Sequence, residues 1–77
     1  MVRCNLSVLM GKKKVKISDV ARETGLHRNT ISLLYKEEAH RVELSAIEKL
    51  CRYFECDICD LFELAPDQEE TNKNGKD

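Results

Sequence analysis

Arg28 and Asn29 stand side by side, directly after His27, and Leu33 follows one helical turn later. Arginine presents a planar fork of donors, and asparagine both donates and accepts from one amide. On a helix these types suit base edges. Arg pairs with guanine O6 and N7, Asn with adenine N6 and N7, and each good bidentate pair is worth about 1–3 kcal/mol of discrimination. His27 at the helix start reaches a base or a phosphate, or is an exposed capping residue. Thr30 donates to a phosphate or bonds locally through its hydroxyl. Leu33 meets a thymine methyl or is an ordinary surface leucine. The groove reading of Leu33 is favoured because Ile31 and Leu34 already fill the inner face.

These residues need a rigid mount, and the stretch Ile17 to Lys36, ISDVARETGLHRNTISLLYK, supplies one. Val20 and Ala21 share a face of one short helix, and Ala21 is small where a second helix must cross. Gly25 makes the turn, where φ > 0 is free of a Cβ clash. Leu26, Ile31 and Leu34 give the inward face of the turn and of the second helix. Tyr35 is expected to pack its ring at the edge with its hydroxyl outward. This arrangement is a helix-turn-helix, in which the second helix enters the DNA major groove.

The net charge of −1 argues against a nucleic-acid binder until its distribution is read. Residues 1–41 carry nine Lys/Arg against four Asp/Glu, residues 42–65 two against six, and residues 66–77 two against four. The basic part contains the helix-turn-helix, and phosphate affinity follows the local face rather than the total. Lys12, Lys13 and Lys14 form either a solvated run or a phosphate-facing loop. Backbone N–H groups at the starts of the second and third helices would add phosphate sites.

Seventy-seven residues make one domain with an economical core, and apolar residues are 42% of the chain. Leu6, Leu9 and Met10 mark a first helix, with Asn5 as its N-cap. Ser18 is the expected N-cap of the second helix, which runs to about Thr24. The third runs from about Arg28 to Lys36, with His27 near its cap. Glu37 to Glu43 is a polar connection. Leu44, Ile47, Leu50, Cys51 and Phe54 define the inner face of a fourth helix. Asp57 caps a short last helix that buries Ile58 and Leu61. Phe62 and Leu64 form an extended strip that could pair with Val2–Cys4. Beyond Pro66 the apolar residues stop, and 66–77 is expected to be a disordered polar tail.

Cys4, Cys51, Cys56 and Cys59 raise the question of zinc, since CDIC is a C-x₂-C pair. A structural site wants a second close pair, which is missing. The expectation is four reduced thiols, Cys59 the most exposed, and no metal or other cofactor. An enzyme is not expected: the sequence has no glycine-rich phosphate loop, no H-x-x-x-H and no nucleophile elbow. No apolar run approaches the ~20 residues that span a bilayer, and no signal peptide is evident, so a cytoplasmic location without membrane contact is expected.

The segments LSVLM, ISDVARETGLHRNTISLLY and LSAIEKLCRYFECDICDLFEL together resemble the Cro/C1-type (XRE) helix-turn-helix family, in particular its small single-domain members. The resemblance covers about residues 2–65. It implies an all-α, five-helix lambda-repressor-like DNA-binding domain. It also implies a transcriptional regulator, expected to be a repressor, binding a palindromic operator in double-stranded DNA as a homodimer. His27, Arg28, Asn29 and Leu33 fall at the family's base-reading positions. Lys16, Ser18, Thr30, Lys36 and Arg41 fall near positions that meet phosphates or sugars. Cys51 and Cys56 match positions where the family buries small apolar residues. Tyr53, Phe62 and Leu64, taken as exposed, are the candidates for the dimer contact. No small-molecule effector is evident. The alternative is a protein-interaction module on the same fold, antitoxin-like or an accessory partner, working through the acidic half.

Two departures from the family stand out. It often has glycine at the end of the first helix and after the third, where this chain has Lys14 and Glu37. A left-handed non-glycine residue costs about 1 kcal/mol, so both turns are expected to be rebuilt. Glu37 and Glu38 are also expected to put negative charge near the phosphates.

Overall fold

The computed structural model describes residues 1–66; the expected tail beyond Pro66 falls outside the described residues. Within them the chain runs β1 (Val2–Cys4), α1 (Leu6–Lys13), α2 (Ile17–Thr24), α3 (Arg28–Tyr35), α4 (Leu44–Phe54), α5 (Ile58–Leu61) and β2 (Phe62–Leu64). The two strands pair antiparallel, with Val2 opposite Leu64, Arg3 opposite Glu63 and Cys4 opposite Phe62. The strip pairing expected from the sequence is therefore present, and it brings the two ends of the fold together.

Leu6, Val20, Ile31, Leu50 and Leu61 are fully buried, one from each of the five helices. Met10, Leu34 and Cys4 complete the cluster, and Ala21, Leu26, Ile47 and Phe54 pack around it. Each helix thus contributes at least one anchor, and burying a side chain of this size is worth about 1.5–3 kcal/mol. Two residues assigned inward from periodicity lie outside. Leu44 is 82% exposed and Ile58 is 61% exposed. In α4 the first-turn contact is made by buried Ala46, in line with Leu50. At roughly 100° per residue, Leu44 falls more than a third of a turn from that line. In α5 the buried residue is Leu61 alone.

Helix starts also differ from expectation at one point. The N-cap of α2 is Lys16, not Ser18, which lies within the first turn. Asp19 decides this, because its carboxylate accepts the Lys16 N–H at 2.9 Å. That bond, and after it the Arg22 guanidinium, hold the Asp19 carboxyl below the usual carboxylate range. Asp60 does the same for α5, accepting the Asp57 N–H at 2.9 Å. Asn5 is the N-cap of α1 by position, without a side-chain bond.

Three helices end in one way. After α1, the Lys14 N–H donates to Gly11 O and the Val15 N–H to Met10 O. After α3, Glu37 N–H donates to Leu34 O and Glu38 N–H to Leu33 O; after α4, Glu55 N–H donates to Arg52 O and Cys56 N–H to Cys51 O. These are Schellman turns, which need a left-handed residue. Lys14, Glu37 and Glu55 supply it with φ of 59°, 60° and 55°. The turns at Lys14 and Glu37 are therefore not rebuilt; the left-handed geometry is kept without glycine. Lys14→Gly and Glu55→Gly are each expected to raise the unfolding free energy by about 1 kcal/mol in urea titrations. Glu37→Gly should show no such gain, because its carboxylate Oε1 accepts the Cys4 N–H at 3.2 Å.

Candidate nucleic-acid interface

Gly25 joins α2 to α3 at φ 78°, and a Cβ there would meet nothing within 4 Å. Its requirement is conformational, not one of space. Its N–H closes α2 on Ala21 O at 2.9 Å. Thr24 braces the same turn: its hydroxyl donates to Val20 O at 2.7 Å and accepts the Leu26 N–H at 3.2 Å. Sequence reading missed Thr24; a threonine just before the turn glycine was the available signal. Leu26 then packs against the core, and Ile31 and Leu34 seat α3 by its inner face.

That seating fixes what α3 presents. His27, Arg28 and Asn29 are exposed, Thr30 and Leu33 half-buried, and Lys36 exposed. Leu33 is not among the apolar residues packed on the core. Tyr35 is 43% exposed. His27 is the N-cap of α3 in extended conformation, and its side chain makes no capping bond. The first-turn N–H groups of α3 are thus left without a side-chain cap, at the positive end of the helix dipole. The start of α2 differs, because Asp19 puts a carboxylate there.

The ion pairs divide the five arginines. Arg3 pairs with Glu37 at 3.7 Å, Arg22 with Asp19 at 3.1 Å and Glu23 at 3.5 Å, and Arg52 with Glu48 at 2.9 Å. Arg28 and Arg41 make no ion pair among the described residues. Arg41 shares a hollow of about 330 Å³ with His27 and Thr30. Lys16 lies at the other end of α3, in a depression it shares with Tyr35. Cationic side chains with no ion pair among the described residues therefore flank α3 at both ends, Arg28 and Arg41 at its start, Lys36 and Lys16 at its finish. Ser18 is exposed on the first turn of α2 and shares neither hollow.

Glu37 does not add negative charge to this face as expected. Its carboxylate turns back to β1, bonded to the Cys4 N–H and paired with Arg3. This tie, between residues 33 apart in sequence, is the second feature the sequence reading missed. Of the proposed dimer residues, Leu64 is 83% exposed. Tyr53 and Phe62, by contrast, are half-buried and packed on the core. The Tyr53 ring meets Phe54 edge-on with centroids 4.8 Å apart, and the Lys13 ammonium lies 5.1 Å from its centre.

Of the four cysteines, Cys51 and Cys56 lie side by side. Cys4 is buried, Cys51 and Cys56 half-buried, and Cys59 exposed. Burial, with the Cys51 thiol beside it, pushes Cys56 up to about 11. Among the described residues the one grouping within a metal ion's reach is Asp57, Cys59 and Asp60, all exposed. No helix among the described residues is long and apolar enough to cross a membrane.

Two helices locked at a left-handed glycine, the second with its polar side bare and cations at both ends, define a helix-turn-helix DNA-binding domain. The chain belongs to the family of Cro/C1-type HTH DNA-binding domains, which it matches over residues 5–67. It is also similar to the uncharacterized HTH-type transcriptional regulator YozG of Bacillus subtilis (strain 168). The two are 26% identical over 65 residues, which cover 84% of this chain and 77% of that protein.

Proposed function

We propose that the protein is a transcriptional regulator, acting as a repressor, that binds a palindromic operator as a homodimer with α3 in the major groove. The observation that carries this reading is the match between α3 and the groove. An α-helix with its side chains is about 10–12 Å across, close to the major groove width of about 12 Å, and the outer side of α3 is bare at His27, Arg28 and Asn29. Cations at both ends would then lie beside the two bordering phosphate backbones. Arg28 and Asn29 read base edges, with His27 and Leu33 beside them. Lys16, Thr30, Lys36 and Arg41 meet phosphates, and Ser18 does so from the first turn of α2. The uncapped start of α3 adds a phosphate site of its own.

The dimer contact is assigned to the β1–β2 ribbon. Val2 and Leu64 are directly opposite each other, and both are largely exposed. Phe62, half-buried on the ribbon opposite Cys4, would extend that contact, whereas Tyr53 sits beside Glu23 and Thr24 instead. Two copies would then place their recognition helices about 34 Å apart, one turn of B-DNA. A cytoplasmic setting goes with this reading. The name of the relative YozG, an HTH-type transcriptional regulator, points the same way. A bound dimer over a promoter would act by occlusion.

Salt dependence separates this from a protein-interaction module on the same fold. In gel shifts with random duplex DNA, binding should be clear at low salt. It should then fall steeply, with a log–log slope of about −0.9 for each phosphate contacted. Absence of binding to duplex DNA at low salt would remove the DNA reading.

A further inference from the structure

Two of the large apolar side chains left in solvent stand on one groove. Leu44 and Ile58, 82% and 61% exposed, both line a groove of about 650 Å³ between α4 and α5. Half-buried Ile47 and Cys51 lie between them. On α4 the groove takes Leu44, Ile47, Glu48, Cys51 and Arg52, and Glu55 lines it just past the helix end. The helical members form an i, i+3, i+4, i+7, i+8 stripe, on a different flank from buried Ala46 and Leu50. Of the apolar members of this stripe Leu44 is bare, while Ile47 and Cys51 also touch the core. With Ile58 opposite, two bare apolar side chains share one hollow.

The charge around it selects the occupant. Glu55, Asp57 and Asp60 line the groove, and the one cation there, Arg52, is held by Glu48 at 2.9 Å. A second copy placed groove to groove about a twofold would set carboxylates against carboxylates. A second copy offering its basic N-terminal part head-to-tail instead would build a ring or an open filament rather than a twofold dimer. A helix with an apolar stripe bordered by lysine or arginine meets both demands. The eleven residues of α4 give it a track of about 16 Å, three turns long.

We propose that the α4–α5 groove docks a basic amphipathic helix of a partner protein, with Leu44 and Ile58 as the apolar anchors and the carboxylates setting its charge preference. No residue of α3 lines the groove, so docking leaves the recognition helix free. The assignment stands independently of the DNA reading.

The test uses the full chain, labelled with ¹⁵N. It is titrated with a synthetic three-to-four-turn helical peptide bearing one leucine stripe flanked by lysines. A second peptide has glutamates in place of the lysines. The lysine peptide is expected to bind saturably, to shift amides within residues 44–60, and to bind at least tenfold more tightly than the glutamate peptide. The double variant Leu44→Ser, Ile58→Ser should bind it at least tenfold more weakly with an unchanged thermal midpoint, since both side chains are exposed. Equal affinity for the two peptides, shifts centred on α3, unaltered binding by the double variant, or no saturable binding each overturn the proposal. Sedimentation gives the remaining outcome: a dimer of the free protein that the double variant dissociates would assign the groove to a second copy and overturn it too.

Discussion

Arg28→Ala combined with Asn29→Ala is expected to abolish preference for the operator while leaving the far-UV spectrum and thermal midpoint unchanged. Both side chains are exposed, and neither makes a hydrogen bond or ion pair among the described residues, so removing them withdraws nothing from the fold. Each bidentate base contact is worth about 1–3 kcal/mol of discrimination, and a site recognised by both loses about 30-fold to 10⁴-fold in specificity when both go. Weak binding to random duplex should persist, because Arg41, Lys16, Lys36 and the uncapped start of α3 remain. Arg41→Ala should do the reverse, weakening all duplexes alike and shallowing the salt slope by about one contact. Unaltered operator preference in the double variant would discard the residue assignment.

Ile31→Ala is expected to unfold much of the population at 37 °C. Ile31 is fully buried and seats α3 on the core. Truncating a buried isoleucine costs about 2–5 kcal/mol, part lost transfer energy and part cavity. A domain of this length has only about 4–12 kcal/mol in total. DNA binding should fail with it, because the recognition face has no mount. Leu44→Ala is the control: it removes a side chain of the same composition from a position 82% exposed, and a surface change of this kind stays within about 0.5 kcal/mol. Urea titration by circular dichroism reads both. Equal midpoints for the two variants would mean that α3 is not held by its inner face.

Much of this architecture is legible from local pattern. The turn glycine, the inner faces of α2 and α3, the helix bounds and the β1–β2 pairing all follow from spacing within a few residues or from chain ends meeting. The misassigned residues fail for identifiable reasons. Leu44 and Ile58 are each the first residue of a helix, where periodicity cannot say which flank the neighbours cover. In α4 a small residue, Ala46, takes the buried place because it lets another helix approach. Lys16 replaces Ser18 as the cap of α2 because the Asp19 carboxylate reaches back three residues. Glu37 is unreadable locally, since its partners Cys4 and Arg3 lie more than thirty residues away. The same tie explains why a glutamate holds a left-handed position there: the carboxylate satisfies a strand N–H that glycine would leave bare.

The bare outer side of α3 was legible because Ile31 and Leu34 already claim its inner side. What the sequence could not supply was the pairing state of its cations. Basic residues look alike on paper, yet Arg3, Arg22 and Arg52 are engaged within the chain while Arg28 and Arg41 are not. Those without an ion pair among the described residues lie at the start of α3, where they would meet a polyanion docked on that helix.

Selection of bound fragments from a random duplex pool at physiological salt tests the central claim most directly. The recovered sequences should share an inverted repeat with half-site centres about one helical turn apart, and the Arg28→Ala, Asn29→Ala protein should fail to enrich it. Recovery of no common sequence by the unaltered protein would contradict the account.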